Sequence, residues 1–123
     1  RKAIKGCNWL EEQNIPTNCT HTHYTFAVRY LGEKHLGLSW KSFYNKYLKF
    51  GGDGFYGACV CPHLEPSIVR YIKNNDYNKK ISTPIAEKIQ KEIMQFKTNY
   101  RDLKVAQLKA DALKKLINSL DPS

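Results

Sequence analysis

Apolar residues recur at helical spacing in three stretches of this chain, and the spacing predicts its main elements. Residues 24–34 form the first predicted helix, with Gly32 and Gly37 marking its end and the following turn. Residues 40–50 form the second, where Ser39 is a suitable N-cap because its hydroxyl can accept from a free backbone N–H. Aromatic residues at steps of four and three predict the core-facing side of this second helix: Phe43, Tyr47 and Phe50.

The C-terminal third predicts a single long amphipathic helix over residues 82–123. Thr83 can cap it, and Pro84 suits the first helical position, where its missing N–H costs nothing. Apolar residues then follow at steps of three and four: Ile85, Ile89, Ile93, Phe96, Tyr100, Leu103, Ala106, Ala110, Leu113, Ile117 and Leu120. Unbroken over the 36 residues from Ile85 to Leu120, this pattern would span roughly 54 Å of helix. It is therefore either an internal strut of a bundle or a surface that forms a homo-oligomer through residues 103–120.

Shorter elements are predicted between the helices. Trp9 and Leu10 would anchor a short N-terminal helix, and glycines after residue 50 end the second helix. Residues 55–61 would form a short strand or a packed loop. A further short helix is predicted over residues 67–73, followed by a polar loop over residues 74–80.

With 123 residues, the chain has the length of one domain. The pattern predicts a mainly α fold, a small helical bundle with two regions. Residues 1–81 would form an N-terminal helical region with a helix-turn-helix-like pair in segment 24–57, and residues 82–123 would form the long helix. No run of roughly 18 apolar residues is present, so no membrane span is expected.

The net charge of the chain predicts a polyanionic binding partner. Lys and Arg number 20 against 11 Asp and Glu, and the formal net charge is +9. An excess of this size favours phosphate-rich partners, because cationic side chains release the counterions of nucleic acid. A merely solvated basic face would produce the same composition.

The second predicted helix has the side chains that a DNA-reading helix needs. A helix-turn-helix places its second helix in the major groove, where Asn can read adenine and Lys can reach guanine or phosphate. The candidate groove residues are Trp40, Lys41, Ser42, Asn45 and Lys49, and the candidate phosphate contacts are Arg29, Lys34 and Lys46. In the plainer interpretation, the aromatic residues of this helix belong to the core and its lysines are only solvated.

Several short motifs around this helix have the order found in one family of DNA-binding modules. They are Leu38-Ser39, Ser42-Phe43-Tyr44, Phe50 and Gly54-Phe55-Tyr56-Gly57. With them, residues 26–57 resemble the helix-turn-helix modules of insertion-sequence and Mu-type transposases. Glu33 departs from the family pattern, since Ala is common there, and the acidic catalytic residues of a transposase core have no counterpart. The resemblance therefore implies a DNA-binding module only.

The four cysteines and four histidines leave three kinds of chemistry open. Cys19-x-His21-x-His23 and Cys59-x-Cys61-x-His63 alternate, so an extended strand would place two or three metal ligands on one face. If the cysteines are oxidised, Cys59 or Cys61 would reach Cys7 or Cys19 rather than each other. Buried free thiols are the third interpretation.

These patterns predict a basic nucleic-acid-binding protein, duplex DNA foremost, that is not an enzyme and has no metal or other cofactor. No spacing pairs a nucleophile with a base. The alternative is a secreted, disulfide-stapled helical effector, toxin or ligand that binds another protein. The glycosylation sequence Asn18-Cys19-Thr20 suits that alternative. We expect an intracellular protein if the cysteines are reduced and a secreted one if they are oxidised. The start at Arg1 leaves open whether a signal segment was removed.

Overall fold

The centre of the fold is a three-stranded antiparallel sheet, which the sequence pattern did not predict. The structure is a computed structural model that describes residues 1–75 and 81–120. Its strands are β1 (Leu10–Glu12), β2 (Phe26–Tyr30) and β3 (Ile93–Phe96). Its helices are α1 (Gly32–Leu36), α2 (Trp40–Lys49), α3 (Pro66–Asn74), α4 (Pro84–Ile89) and α5 (Leu103–Leu120), and short 3-10 turns lie at Lys2–Ile4 and Pro62–Leu64. The fold is therefore α+β, and the prediction of a mainly α-helical bundle is wrong.

The strands of the sheet lie in sequence order, with β2 in the middle. Leu10 pairs with Tyr30 across β1 and β2, and Val28 pairs with Met94 across β2 and β3. An isolated bridge between Tyr56 and Gln95 extends the pairing beyond the free edge of β3. The central strand thus joins segments of the chain that are far apart in sequence.

The predicted helix over residues 24–34 is wrong, because most of that stretch is strand β2. Phe26, Val28 and Tyr30 alternate with smaller or polar residues, which is the period of a strand. Val28 and Tyr30 are buried on the inner face of the sheet. The segment fits both a helical and a strand spacing, and it folds as a strand because it pairs with β1 on one side and β3 on the other. The predicted short helix after Trp9 is wrong for the same reason, since β1 occupies that position.

The predicted long helix is also wrong, because the segment folds as α4, β3 and α5 in succession. A backbone hydrogen bond from Glu92 N to Ile89 O closes the turn after α4. Asp102 lies directly before α5 and caps its N-terminus, since its carboxylate accepts from the backbone N–H of Lys104 at 2.7 Å. The apolar residues keep their spacing of three and four across the boundaries between α4, β3 and α5, although no single helix connects them. Residues 121–123 of the predicted helix lie outside the described residues.

Two other predicted helices are confirmed. α2 begins at Trp40 with Ser39 as its N-cap, whose hydroxyl accepts from Ser42 N at 3.2 Å. α3 covers the predicted residues 67–73. Of the polar loop predicted at 74–80, residues 76–80 lie outside the described residues.

An aromatic cluster between the sheet and α2 forms much of the core. Phe43 has no exposed surface, and its ring lies 5.6 Å from that of Trp9 and 5.1 Å from that of Tyr30. The Tyr30 hydroxyl donates to Leu38 O at 2.7 Å and so anchors the turn that leads into α2. The opposite side of the core comes from α5, where four residues are buried: Ala112, Leu113, Leu116 and Ile117. The buried residues Phe43 and Tyr47 therefore hold α2 against the core.

The exit from α2 requires glycine at residue 52. A Cβ atom on Gly52 would overlap the ring of Tyr47. Gly54 has a φ of +83°, and a Cβ there would lie 2.8 Å from the ring of Tyr44. These close approaches hold the exit loop against the inner side of α2.

Candidate nucleic-acid interface

The outward face of α2 is mainly polar and basic, with one exposed apolar residue, Leu48, at its edge. Phe43 and Tyr47 point into the core, and Trp40 and Tyr44 are half-buried beside them. At 100° per residue, the positions opposite this stripe form one exposed arc. We call this arc the α2 face, and it consists of Lys41, Ser42, Asn45, Lys46 and Lys49. The structure thus brings five of the eight predicted site residues onto one surface.

The lysines of the α2 face have no carboxylate partner in the described residues. Ion pairs there involve Arg1, Arg29, His63 and Lys109, but none of Lys41, Lys46 and Lys49. The sequence also contains no Asp or Glu between Glu33 and Asp53. Lys41 Nζ lies 4.7 Å from the ring centroid of Tyr44, which orients this side chain without neutralising it. Three uncompensated positive charges therefore lie along about 12 Å of helix.

Trp40, a predicted groove residue, is half-buried against the sheet and does not lie on the α2 face. Its indole Nε1 donates to Ile93 O on β3 at 3.1 Å. Its ring packs edge-on against Phe55 at 4.8 Å and parallel to Tyr44 at 5.9 Å. These contacts connect the first turn of α2 to the edge of the sheet. The sequence pattern assigned Trp40 to the groove because it could not show these partners.

Arg29 is held by two carboxylates on the outer face of the sheet. Its Nε donates to Glu92 at 2.6 Å, and its Nη1 donates to Glu11 at 3.2 Å. The hydrogen bond to Glu92 is the main reason that the pKa of Arg29 rises above its usual value. With both carboxylates in place, the cluster of Arg29, Glu11 and Glu92 has a formal net charge of −1 and so does not attract a phosphate.

Lys34 lies away from the α2 face, in α1. It lines a shallow cleft together with Trp40 and Lys88. Carboxylates are also part of the cleft lining, among them Glu33 and Glu87. The mixed charge of this cleft makes it a poor phosphate site compared with the α2 face.

The helix before the turn is shorter than a helix-turn-helix requires. α1 has five residues, Gly32–Leu36, and Gly37 ends it with a φ of +62°. The rest of the predicted first helix is strand β2. The turn and α2 are present, but the predicted helix-turn-helix pair is wrong because its first helix is mostly a sheet strand.

The sequence pattern missed a polar network that joins the α2 exit to α5. Asp53 forms an ion pair with Lys109 at 2.7 Å and accepts from the Tyr100 hydroxyl at 2.9 Å. Lys109 Nζ also donates to Gly51 O at 2.8 Å, and the Tyr47 hydroxyl donates to Lys109 O at 3.2 Å. These contacts form between residues some 50 to 60 positions apart, which no local spacing could reveal.

The network shifts the acidity of its members in opposite directions. The Lys109 hydrogen bond lowers the pKa of Asp53 below its usual value. Burial raises the pKa of Tyr47 to about 12, and burial followed by the Asp53 hydrogen bond raises that of Tyr100. Asp53 is therefore anionic and both tyrosines are protonated at neutral pH.

The two cysteine–histidine groups do not form metal sites in the described residues. No three His, Cys, Asp or Glu side chains come together there. His21 and His23 have ring centroids 4.3 Å apart, and partial burial followed by the charge of His21 lowers the pKa of His23. His63 Nε2 instead lies 2.9 Å from a carboxylate oxygen of Glu87.

The cysteines differ widely in exposure. Cys19 and Cys59 are exposed free thiols, and Cys61 is a buried free thiol. The backbone N–H of Cys61 donates to the Gln90 side chain at 2.8 Å, which fixes the segment before the Pro62–Leu64 turn.

The apolar side chains in the first turns of α5 are exposed, whereas most of those in its second half are buried. Leu103 is 84% exposed and Leu108 is 65% exposed. Only this part of residues 103–120 presents apolar side chains to a partner. The homo-oligomer through α5 stays a prediction.

Within residues 1–75 and 81–120, no helix has the length and apolar character needed to cross a bilayer. Comparisons with protein-family models, curated proteins and solved structures find no match for this chain. The resemblance of residues 26–57 to transposase modules therefore stays a prediction. Function has to be inferred from the geometry of the chain itself.

Proposed function

We propose that this protein binds nucleic acid, duplex DNA foremost, through the α2 face. One observation carries the proposal: Lys41, Lys46 and Lys49 are exposed on one helix face with no carboxylate partner in the described residues. Arg29 and Lys109 are compensated by neighbouring acids, whereas other exposed lysines, such as Lys104, Lys114 and Lys115 on α5, also have no ion pair among the described residues and therefore provide the control. An uncompensated cationic face on a protein of net charge +9 is suited to a polyanion.

The shape of α2 supports a groove rather than a flat contact. The helix has ten residues, and Phe43 and Tyr47 are buried in the core, so the outer half of the helix is free along its length. Phe50, a predicted core-facing residue, is the C-cap and is 42% exposed. A helix of this width fits the DNA major groove, which is about 12 Å wide. Asn45 lies one turn from both Lys41 and Lys49 and is exposed. Its amide can read adenine, and the flanking lysines can hold the backbone.

The test is a titration of a labelled mixed-sequence duplex with two triple variants of equal charge. The first variant removes the α2 lysines: Lys41→Gln, Lys46→Gln and Lys49→Gln. The matched control removes three exposed lysines of α5: Lys104→Gln, Lys114→Gln and Lys115→Gln. Both variants lower the net charge equally, so a general charge effect would weaken them equally.

Three phosphate contacts have a defined effect on salt dependence. The log–log slope of affinity against salt should be shallower by about 2.7 in the α2 variant than in the wild type. That difference equals about a 40-fold change in affinity between 50 and 200 mM salt. The control variant should keep the wild-type slope. No binding by the wild-type protein at 50 mM salt, or equal losses in both variants, would refute the proposal.

Duplex RNA distinguishes groove docking from simple charge attraction. The major groove of A-form RNA is deep and too narrow for a helix. We therefore expect RNA of the same sequence to bind more weakly than DNA at every salt concentration. Equal affinity for both duplexes would mean that the protein binds through charge attraction at its surface and that α2 does not enter the groove.

A further inference from the structure

A cavity of about 360 Å³ lies between α2, β3 and the first turns of α5. Its walls are mainly apolar, with Ile4, Phe26, Phe96 and Leu113 as the larger apolar side chains and Tyr47 and Tyr100 beside them. Ala106 and Ala110 form the α5 side, and their small size leaves the space open. Ligand cavities in proteins usually fall between about 300 and 1,000 Å³ and are lined in this way. The cavity is separate from the α2 face, since it lies on the core side of that helix.

The charged groups around this cavity are all cationic. Arg1, Lys97 and Lys109 line it, whereas the described lining contains no Asp or Glu side chain. Arg1 and Lys109 each have a carboxylate partner, Glu12 and Asp53, at 3.1 and 2.7 Å. The charges of Arg1 and Lys109 are therefore balanced by neighbouring acids, and an anion entering the cavity would meet Lys97 as the lining cation without an ion pair.

Lys97 is the lining cation best placed to receive that anion. It takes part in no ion pair among the described residues. Its Nζ lies 5.0 Å from the ring centroid of Tyr100, so the side chain is positioned over an aromatic face at the edge of the cavity. The hydroxyls of Tyr47 and Tyr100 already donate to Lys109 O and Asp53. Lys97 Nζ itself makes no hydrogen bond within the described residues, although its charge also acts on nearby Asp53.

The volume sets the size of the ligand. A cavity of about 150 Å³ holds one benzene molecule. In proportion, about 360 Å³ holds a body of roughly a dozen non-hydrogen atoms. The aromatic rings of Phe26 and Phe96, whose centroids are 6.4 Å apart, favour a flat apolar body over a polar one.

We propose that this cavity binds a small apolar carboxylic acid, with its ring or chain among Phe26, Phe96 and Leu113 and its carboxylate on Lys97. The site is independent of the α2 face, so it can be tested without nucleic acid. Binding is non-covalent, because the ligand carboxylate accepts hydrogen bonds from Lys97 Nζ.

The experiment compares three naphthalene derivatives of nearly equal size. The probes are 2-naphthoate, 2-naphthamide and 2-naphthylmethylamine, which are anionic, neutral and cationic. We expect 2-naphthoate to bind with a dissociation constant of about 1 mM or tighter by calorimetry or NMR, the range for a ligand of this size. The amide should bind about tenfold more weakly and the amine more weakly still. Equal affinities, or no binding of 2-naphthoate at about 1 mM, would overturn the proposal.

Variants then locate the site. Lys97→Gln should lower the affinity for 2-naphthoate by about tenfold and leave that for the amide unchanged. Ala110→Leu should abolish binding of both, because its side chain would fill the space beside Leu113. Ala106→Leu, one turn away, is the second filling variant if Ala110→Leu fails to fold. Unchanged affinity in a folded filling variant would place the ligand elsewhere and refute the site.

Discussion

The Asp53 carboxylate should stabilise the fold by tying the α2 exit to α5. Asp53→Asn keeps the size of the side chain and removes its charge. The carboxylate has two partners, Lys109 at 2.7 Å and the Tyr100 hydroxyl at 2.9 Å, and its side chain is 31% exposed. Hydrogen bonds to a charged group are each worth about 1.5–3 kcal/mol when buried. Partial exposure of both ions lowers this value. We therefore expect the free energy of unfolding to fall by about 1–2 kcal/mol at pH 7.

The pH dependence of that loss is specific to an ionised carboxylate. Lys109 lowers the pKa of Asp53 in the folded protein, whereas the unfolded chain has a value of about 3.9. Because the folded pKa is the lower one, the stabilisation is complete above the unfolded value and is lost as pH falls through the folded value. The difference between wild type and variant should thus be constant from about pH 5.5 upward and shrink below about pH 4.

Urea denaturation at several pH values measures both quantities. Asp111→Asn is the matched control, since Asp111 accepts only a neutral amide hydrogen bond, from Gln107 at 2.8 Å, among the described contacts. It should change the free energy of unfolding by less than about 0.5 kcal/mol. A difference between wild type and Asp53→Asn that is equally large at pH 3 and pH 7 would show that the carboxylate charge is not the cause.

Three further outcomes are expected from single substitutions. Phe43→Ala should lower the free energy of unfolding by about 3–5 kcal/mol in urea denaturation, whereas Lys46→Ala on the outer side of α2 should change it by under about 0.5 kcal/mol; equal effects would mean that α2 is oriented differently. Gly52→Ala should cost about 1–3 kcal/mol because its Cβ would overlap a tyrosine ring, and Gly57→Ala, whose nearest neighbour would lie 3.9 Å away, should be nearly neutral. Asn45→Ala should weaken preference at one base pair by about 1–3 kcal/mol in competition binding, with no change in salt slope; a changed slope would make Asn45 a backbone contact.

The elements that could be predicted from the sequence are those fixed by neighbours along the chain. α2 is one of them, because its N-cap Ser39 and its stripe of Phe43 and Tyr47 lie within one helix. Strand β2 is not, because its partners lie in β1 and in β3, which is more than 60 residues later. Its spacing fits a helix as well as a strand, and only the pairing decides.

The same distinction applies to the candidate site. The α2 face follows from the helical period, so its residues could be named from the sequence. The sequence could not show that Arg29 is already paired, because its partner Glu92 is 63 residues away along the chain. The breaks in the C-terminal segment had a weak local signal in Asp102, a suitable N-cap, but the regular apolar steps across it concealed the boundary.

The central claim is that the α2 face contacts the nucleic acid, and an NMR titration tests it most directly. Isotope-labelled protein is titrated with an unlabelled mixed-sequence DNA duplex at low salt. The account predicts that the amide signals of Lys41, Asn45 and Lys49 and the side-chain amide of Asn45 shift together as duplex is added. Unchanged α2 signals while those of Lys114 and Lys115 on α5 move, or no change anywhere at saturating duplex, would contradict it.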